Sequence, residues 1–194
     1  MLRAAISTTL LVAAFSEKCP VPSGASAFDM QALVGTWYEI GKVQTFGGAI
    51  FEGSCVCTQL KYTSAGTDGS ATVSNICREK TPQGKLVVAN ATISPKDGQS
   101  GSFVETFVKF VPGVDYTIVA LEGEEYMVEF DCSSTLGIIN YCFHVMSRKP
   151  TLDAGELAKL KDLMAQYGLN PHNITWKVTA QDGCWDNETT HILV

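Results

Sequence analysis

Eight short segments rich in strand-forming residues follow one another along most of this 194-residue chain. The stretches between them, such as Thr81-Pro82-Gln83-Gly84 and Pro95-Lys96-Asp97-Gly98, contain the proline, glycine and aspartate residues that favour turns. Antiparallel strands joined in this way can close into a barrel, which leaves no sheet edge exposed, and eight strands enclose enough space for one small ligand. We therefore predict an all-β, eight-stranded, antiparallel up-and-down barrel with strands at residues 35–43, 55–63, 71–79, 85–94, 102–111, 115–121, 125–132 and 140–148.

One amphipathic helix is predicted after the eighth strand. Asp153 and Glu156 stand three residues apart, as in a capping box, and Gly168 is a stop signal. The apolar residues fall close to one helical face, which must pack on the barrel wall because the helix has no other apolar partner. The residues of that face are Leu157, Leu160, Met164 and Tyr167. Residues 174–179 are predicted to form a short final strand.

The N-terminal residues indicate export. Arg3 supplies a positive charge, an apolar run follows, and Ala14-Phe15-Ser16 has the small-x-small pattern of a signal-peptidase site. The run is too short to span a bilayer, which needs about 20 residues. We therefore predict a signal peptide at residues 1–16, a single domain at residues 17–194, and secretion of the mature protein. With 14 basic and 20 acidic residues and no basic run, the chain is not expected to bind nucleic acid.

The chain has seven cysteines, with no Cys-x-x-Cys pair and no histidine cluster beside them. In an exported chain this pattern favours structural disulfides over a metal site, so no metal is expected. Seven is odd, so at least one thiol is free or joins two copies of the chain in a homodimer. Three Asn-x-Ser/Thr sequons, at Asn90, Asn173 and Asn187, are candidates for glycosylation in the secretory pathway.

Gly35-Thr36-Trp37-Tyr38 stands at the start of the first predicted strand, and Arg148 lies in a Ser-Arg-Lys-Pro context just before the helix. This combination resembles the lipocalin family, and segments such as Lys18-Cys19-Pro20-Val21-Pro22 extend the resemblance over nearly the whole mature chain, to the apolipoprotein D-like branch. In that family the tryptophan plugs the closed end of the barrel and the arginine guanidinium lies across its indole. The resemblance implies this structural role for Gly35, Trp37, Tyr38 and Arg148, where the stacking contributes about 0.5–2 kcal/mol.

The resemblance also implies a disulfide pattern. The two bridges of that pattern are Cys19–Cys132 and Cys55–Cys184. Cys57, Cys77 and Cys142 lie outside it. If the second and third strands turn about Thr67, Cys57 lies opposite Cys77 and can be bridged to it, whereas a register shift of one residue places the two on opposite faces. A Cys57–Cys77 bridge with Cys142 free is the arrangement we favour.

A ligand cavity would be lined by alternate residues of each strand. In strand seven we predict that the apolar parity points inward. In strand eight the inward parity is that of Arg148, which must reach the barrel base, so Phe143 and Val145 face the helix. The cavity so predicted is apolar with a few polar groups, which suits a hydrophobic ligand with one polar end. Its inward residues are Tyr126, Val128, Phe130, Asn140, Cys142, His144 and Met146, with Leu60 and Asn75 implied by the resemblance.

His144 allows three interpretations. It is a neutral histidine satisfied by a buried neighbour or by water, or it donates a hydrogen bond to a ligand carboxylate, keto group or bilin propionate. Metal binding is the third, and it is disfavoured because His172 and His191 lie in the C-terminal tail with no ligand spacing to it.

The predicted loop at residues 45–53 overhangs the open mouth in the family that the chain resembles, and it carries Phe46 and Phe51 among glycines. These rings either pack down on the rim, or gate the entry of ligand, or contact a lipid surface or a partner, since exposed apolar patches usually mark interaction sites. Both are therefore candidate ligand-binding residues.

The predicted function is that of a secreted carrier for a small hydrophobic molecule such as a fatty acid, sterol, retinoid, carotenoid or bilin. No cofactor is expected apart from such a bound pigment or lipid. The sequence has no Gly-x-Ser-x-Gly motif, no phosphate loop and no metal-ligand cluster, so an enzyme is not expected. Two alternatives remain: an isomerase that uses the Cys142 thiol, and a module that binds a membrane or a partner through residues 45–53.

Overall fold

The computed structural model describes residues 17–26, 28–49, 52–63, 67–123 and 125–185. The predicted signal peptide, Phe51 and the sequon at Asn187 lie outside these residues. A 3-10 helix (Met30–Leu33) precedes the sheet, and α1 (Ala154–Gln166) follows its eighth strand. The strands are β1 (Gly35–Gln44), β2 (Cys55–Thr63), β3 (Ala71–Glu79), β4 (Leu86–Pro95), β5 (Ser102–Thr106), β6 (Val114–Glu122), β7 (Tyr126–Thr135), β8 (Ile138–Ser147) and β9 (Lys177–Val178).

The first eight strands form a closed antiparallel barrel. Each strand from β2 to β8 pairs with the next, and β1 pairs with both β2 and β8, which closes the sheet. The predicted eight-stranded barrel with one C-terminal helix is therefore confirmed. Over the described ranges, no helix has the length and apolar character needed to cross a membrane.

The largest differences from the predicted strand boundaries are in β5, β7, β8 and β9. β5 ends at Thr106 rather than at residue 111, because the chain turns at residues 107–110 and Phe110 has a positive φ of 70°. β7 and β8 are longer than predicted because they meet at the two-residue turn Leu136-Gly137, where φ is 53° and 79°. Positive φ at both positions is what a type I′ hairpin turn requires. The predicted final strand is reduced to β9, which pairs with β1.

The closed end of the barrel is built around Trp37. Its ring is fully buried, and its Nε1 donates to the Leu33 carbonyl at 2.8 Å. The guanidinium carbon of Arg148 lies 3.7 Å from the centre of the indole ring, and its Nη2 donates to the carbonyls of Ala32 and Val34 at 2.7 and 3.0 Å. Gly35 has a φ of 109°, and a Cβ there would lie 3.0 Å from Arg148 Nη1. The stacked pair is thus fixed to the backbone on which it closes the barrel.

Helix α1 packs on the outer wall as the sequence predicts. Asp153 caps its N-terminus by accepting from the N–H groups of Gly155 and Glu156 at 2.8 and 3.2 Å. Gly168, with a φ of 62°, ends it in a Schellman motif, in which the Leu169 and Gly168 N–H groups bond to the Met164 and Ala165 carbonyls. The helix closes a second apolar core, whose barrel side includes Val128, Phe130, Phe143 and Val145 and whose helix side includes Leu157, Leu160 and Met164. Tyr167, which we predicted on this face, is 42% exposed.

Three disulfides are present, and only one has the expected partners. Cys19 is joined to Cys132. The implied Cys55–Cys184 bridge and the favoured Cys57–Cys77 bridge are wrong, because Cys55 pairs with Cys77 and Cys57 with Cys184.

A bulge in β2 explains the exchange. The register with β3 shifts between Val56 and Gln59, and Cys57 has a φ of 58° with its N–H bonded to the Ala180 carbonyl at 2.8 Å. A bulge turns its extra residue out of the regular alternation. Cys57 therefore faces the C-terminal segment. Cys55 lies opposite Glu79, and because residues two apart on a strand share a face, Cys55 shares a face with Cys77.

Cys142 is the one free cysteine, and its side chain is fully buried. Of the two alternatives that the sequence left for an odd cysteine, the free thiol is the one that the structure has, because the other six cysteines are all in disulfides.

Candidate ligand-binding cavity

A cavity of about 150 Å³ lies inside the barrel above the Trp37 core. This is roughly the volume of five water molecules in the liquid. The lining combines apolar side chains with several ionisable ones. The residues that line it are Gly47, Gly48, Ala49, Glu52, Leu60, Tyr62, Val73, Asn75, Glu105, Phe107, Val114, Tyr116, Glu129, Asp131, Ser133, Asn140 and His144.

Several predicted cavity residues lie where we expected them. Leu60, Asn75, Asn140 and His144 line the cavity. Met146 points inward as well, but it packs deeper, in the core that contains Trp37. The parity predicted for β8 is therefore the parity that the structure has.

The parity predicted for β7 is wrong. Val128 and Phe130 lie on the outer face beneath α1, and Tyr126 packs at the edge of the same core. The inward residues are Met127, which joins the Trp37 core, and the two carboxylates Glu129 and Asp131. The cavity is therefore more acidic than the sequence suggested.

The β7–β8 register gives the reason for the error. Phe130 lies opposite Phe143 and Val128 opposite Val145, and directly opposed residues share a face of the sheet. Because the β8 pair packs on the helix, the β7 pair must do so too. The turn at Leu136-Gly137 was the sequence signal that fixes this register, and the apolar residues of β7 serve the helix interface instead of the cavity.

A bulge in β1 brings two further charged residues inward that sequence reasoning missed. Glu39 lies opposite Met146 and Lys42 opposite His144, with a register shift between Glu39 and Gly41. Residues three apart on a regular strand point to opposite faces, and the extra residue of a bulge restores them to one face. Both side chains are almost fully buried.

Lys42 contacts two buried carboxyl groups, of which burial raises the pKa of Glu52 even against the attraction of Lys42. Its Nζ lies 3.3 Å from Glu39 Oε2 and 3.1 Å from Glu52 Oε2, and Thr179 Oγ1 donates to the other Glu39 oxygen. Burial alone would lower the pKa of Lys42, but the attraction of the two carboxylates outweighs it and raises that pKa. Burial acts to raise the pKa of Glu39, but Lys42 and His144 hold it below its usual value. The Lys42–Glu39 pair is thus ionised inside the barrel.

His144 makes a polar contact through each ring nitrogen. Nδ1 lies 2.7 Å from Glu129 Oε1, and Nε2 lies 2.7 Å from Cys142 Sγ and 3.4 Å from Glu52 Oε2. Burial opposes its charge, but Cys142, Glu129 and Glu52 together raise its pKa well above the usual value. Burial raises the pKa of Cys142 to about 12, so its thiol is protonated at neutral pH. His144 is therefore satisfied by buried neighbours, as in our first interpretation, and its raised pKa favours the charged imidazolium over the neutral ring.

Two tyrosines complete the hydrogen-bond network at the cavity floor. The hydroxyl oxygens of Tyr62 and Tyr116 lie 2.5 Å apart. Tyr116 donates to Glu129 Oε2, and Tyr62 donates to the same oxygen at 3.3 Å. Burial and the Glu129 charge raise the pKa of both hydroxyls, which keeps them protonated. Glu129 thus holds its position through His144 and both tyrosines.

Two further carboxyl groups of the cavity, those of Asp131 and Glu105, have raised pKa values that favour their neutral form. Burial raises the pKa of Asp131 to about 7. Burial, with repulsion from Asp131 and Glu129, raises the pKa of Glu105 well above its usual value. Close to neutral pH these two groups can therefore act as hydrogen-bond donors to a polar ligand atom, which an ionised carboxylate cannot do.

Phe46 does not line this cavity. Its side chain is 96% exposed, so it neither packs down on the rim nor covers the cavity mouth. Phe110, in the β5–β6 loop, and Leu136, in the β7–β8 turn, are 94% and 98% exposed. These connections belong to the same end of an up-and-down barrel as the loop after β1, so the open end carries several exposed apolar side chains. Asn90 and Asn173 of the described sequons are both exposed.

The comparisons with known proteins agree with this architecture. The chain matches the family model described as a lipocalin-like domain over residues 28–179. Mouse apolipoprotein D is 28% identical over 172 residues, which span 87% of this chain and 85% of that protein. Bovine apolipoprotein D is 25% identical over 173 residues, which span 86% of this chain and 84% of that protein.

Solved structures resemble the chain in fold. Insecticyanin from the tobacco hornworm Manduca sexta superimposes with a TM-score of 0.65 at 18% identity, over 86% of this chain and 89% of that one. Lobster apocrustacyanin A1 gives a TM-score of 0.61 at 14% identity, over 88% of this chain and 93% of that one. The barrel, the stacked Arg148–Trp37 pair and the family match together lead to one conclusion: this chain belongs to the lipocalin-like domain family.

Proposed function

We propose that this lipocalin is a secreted carrier that binds a small, mainly hydrophobic ligand by its polar end. The observation that carries the proposal is a cavity within a closed barrel, in which Leu60, Val73 and Val114 face a floor of fixed polar groups. The hydroxyl oxygens of Tyr62 and Tyr116 lie there, held by Glu129, beside the carboxyl groups of Glu105 and Asp131. Burial of apolar surface would drive binding, and these polar groups would orient the ligand. Secretion is supported by three disulfides, which persist in oxidising compartments.

The acidic lining narrows the ligand classes. Glu129 contributes a carboxylate to the cavity surface, beside Glu52 and the carboxyl groups of Glu105 and Asp131, whose pKa values burial raises. An anionic end group would therefore be repelled by Glu129 and would make ionisation of the other carboxyl groups still less favourable. A hydroxyl end can instead donate to a tyrosine oxygen, and a hydroxyl or keto end can accept from a protonated carboxyl group. Among the candidate classes we therefore favour sterols, retinol-like molecules and hydroxylated or keto carotenoids over fatty acids and bilins with free propionates.

Cavity size sets the binding mode. A volume of about 150 Å³ is below the roughly 300–1,000 Å³ of sites that enclose a drug-sized ligand. In this conformation the cavity holds the polar end of a longer molecule, whose remainder would extend through the open mouth past Gly47 and Gly48.

A matched pair of ligands tests the proposal. Retinol and retinoic acid share a polyene and differ in the end group, so their binding to metal-free protein at pH 7.5 should differ at least about tenfold in favour of retinol. Quenching of tryptophan fluorescence measures both affinities. Tighter binding of the acid would contradict the proposed end-group selection, and a protein that binds neither these nor sterols nor carotenoids would contradict the carrier function.

A cavity-filling variant locates the ligand. Leu60→Trp should abolish retinol binding because the larger ring occupies the cavity, whereas Leu86→Trp, on the exposed face of β4, should leave it within about twofold. Equal binding by both variants would place the ligand outside the barrel.

The open end supports a second candidate function, in which the barrel docks on a lipid surface with its mouth toward the membrane. The exposed Phe46, Phe110 and Leu136 side chains favour it. Flotation with phosphatidylcholine vesicles tests it: Phe46→Ser combined with Phe110→Ser should reduce binding by half or more. Val178→Ser, at an exposed apolar residue of β9, is the control. If the double variant floats with the vesicles as the wild type does, the proposed docking on a lipid surface is wrong.

An isomerase that uses Cys142 is not proposed. The thiol is fully buried and does not line the cavity, and burial raises its pKa to about 12. A nucleophilic cysteine needs the thiolate and access to substrate.

A further inference from the structure

We propose that Asp131, Cys142 and His144 form a binding site for a divalent transition-metal ion, and that Zn²⁺ is the ion it fits best. Asp131 and His144 of this site also line the proposed ligand cavity, but the site goes beyond the carrier function. One donor atom from each of the three side chains can be chosen so that all lie within 4.8 Å of one another. No metal-binding spacing in the sequence predicts this set, because its three members come from two strands.

The β7–β8 register brings the three groups together. Asp131 lies directly opposite Cys142, and His144 is the next inward residue along β8. Both strands belong to the closed barrel, and each is paired along its whole length. The donors are therefore held by rigid elements rather than by a loop, which is what a metal site needs to keep its geometry.

Glu129 orients the histidine for this role. It holds His144 Nδ1 at 2.7 Å and is itself fixed by the hydroxyls of Tyr62 and Tyr116. A histidine that binds metal through one ring nitrogen almost always donates the other N–H to a carboxylate, carbonyl or water. Here that arrangement leaves Nε2 directed at Cys142 Sγ, 2.7 Å away.

A second possible group, Glu39, Glu52 and His144, is less suitable. The Lys42 ammonium lies 3.3 and 3.1 Å from these two glutamates, so a cation placed between them would meet a fixed positive charge. Because Lys42 already contacts both glutamates, Asp131 and Cys142 are the better partners of His144 for a metal ion.

The donor set selects zinc. Thiolate, imidazole and carboxylate are the three ligand types that Zn²⁺ uses, whereas Ca²⁺ and Mg²⁺ take oxygen ligands. Tetrahedral Zn–N and Zn–S bonds of about 2.0 and 2.3 Å would separate the two atoms by about 3.6 Å. Cys142 Sγ and His144 Nε2 must therefore move apart by about 1 Å from their present contact. The fourth position would face the cavity, which Asp131 and His144 line.

Charge balance also permits the ion to be buried. Zinc binds the thiolate, the neutral imidazole and the carboxylate, so it displaces the thiol proton of Cys142, the Nε2 proton of His144 and any proton on Asp131. One Zn²⁺ thus replaces two or three protons, and the net charge of the cavity stays the same or falls by one.

Cobalt(II) is the probe for the experiment, because a Co²⁺–thiolate bond gives a charge-transfer absorption band in the near ultraviolet and Co²⁺ takes the ligand geometry of Zn²⁺. Protein stripped of metal with EDTA and free of hydrophobic ligand is titrated with CoCl₂, and ZnCl₂ is then added. We expect one Co²⁺ per chain, a thiolate band, and loss of that band on displacement by zinc.

Variants assign the ligands. Cys142→Ser should abolish the band. Asp131→Asn should weaken zinc binding by about 10- to 100-fold, because one ligand is lost while the side-chain shape is kept. Two controls should leave zinc affinity within about twofold: Glu105→Gln, which alters another cavity carboxyl, and His172→Asn, which alters a histidine near the surface.

The titration of the wild-type protein tests the proposed metal site even if a variant fails to fold. Absence of a thiolate band up to 1 mM CoCl₂ would overturn the proposal, as would a zinc affinity in Cys142→Ser equal to that of the wild type. Neither result would bear on retinol binding, which is measured without metal.

Discussion

Lys42 is the residue on which the interior charge of the barrel depends. Its ammonium is 1% exposed and touches two carboxylates that are nearly as deeply buried. A buried ion pair adds little stability compared with a well-packed apolar pair, but loss of one partner leaves the other charge uncompensated. Replacing Lys42 should therefore destabilise the protein far more than replacing a lysine on the surface.

We expect Lys42→Met to destabilise the protein by about 3–5 kcal/mol at pH 7.5, because Glu39 and Glu52 then lose their shared counter-charge. Unfolding in guanidinium chloride measures the free energy. The control is Lys96→Met, which removes the exposed Lys96–Asp115 pair and should cost less than about 1 kcal/mol. A cost for Lys42→Met as small as that of the control would show that the carboxylates find other partners.

Glu105 should make stability depend on pH. Burial raises its pKa above the ordinary value of 4.5, so the folded protein keeps a proton that the unfolded chain loses as pH rises above about 4.5. Stability contributed by this group therefore falls with rising pH, by at most about 1.4 kcal/mol per pH unit, until the folded-state pKa is passed.

Glu105→Gln removes that group with little change in shape. We expect the variant to match the wild type at pH 4 and to exceed its free energy of unfolding at pH 8, measured by urea denaturation at pH 4, 6 and 8. Glu122→Gln, at an exposed position, reports the effect of deleting a carboxylate outside the barrel. A wild-type advantage at pH 8 would mean that ionised Glu105 has a favourable partner.

At the scale of elements, the sequence was sufficient to predict the barrel but not to predict which residues point into its interior. Turn residues and apolar alternation predicted all eight strands and the helix, because those signals are local. Which face of β7 points inward depends on its register with β8, and we took its apolar side as the inner one. Both faces of that strand are buried, one by α1 and one by the cavity, so hydrophobicity could not distinguish them.

The two bulges were beyond prediction for the same reason. One reverses the parity of β1 between Glu39 and Gly41, and the other turns Cys57 toward the C-terminal segment. An extra residue in a strand has no hydropathy signal of its own, because it is fixed by long-range contacts such as the bond from the Cys57 N–H to the Ala180 carbonyl. The buried Lys42–Glu39 pair and the disulfide pairing were missed at these two places.

The β7–β8 turn is the element whose sequence fits its backbone least well. Leu136 has a φ of 53° and is 98% exposed. Its left-handed backbone conformation is therefore unfavourable, and no packing of its side chain compensates for it. Leu136→Asn should stabilise the protein by about 0.5–1 kcal/mol, since asparagine tolerates this conformation in type I′ turns. Thermal unfolding measures it. Leu86→Asn, on the exposed side of β4, should instead destabilise, because asparagine is unfavourable in strands. No gain at Leu136 would show that the turn relaxes without strain.

At the scale of the whole molecule, the disulfides tie distant segments to the barrel. Cys19–Cys132 fastens the N-terminal arm to β7 across 113 residues, and Cys57–Cys184 fastens the C-terminal segment to β2 across 127 residues. Cys55–Cys77 joins neighbouring strands only 22 residues apart. Because a cross-link acts mainly on the unfolded chain, the longer loops should contribute more.

The corrected pairing therefore has a measurable consequence. Replacing Cys57 and Cys184 together by serine should destabilise the protein about 1.5 kcal/mol more than replacing Cys55 and Cys77, because the chain-entropy model gives about 4.9 and 3.4 kcal/mol for loops of 127 and 22 residues. Both double variants keep an even number of the remaining bridge-forming cysteines, so each should fold with two disulfides and one buried thiol, as counted by a thiol reagent before and after denaturation. Had Cys55 been joined to Cys184, both variants would instead leave two unpaired partners exposed to exchange, and each would show three titratable thiols on unfolding.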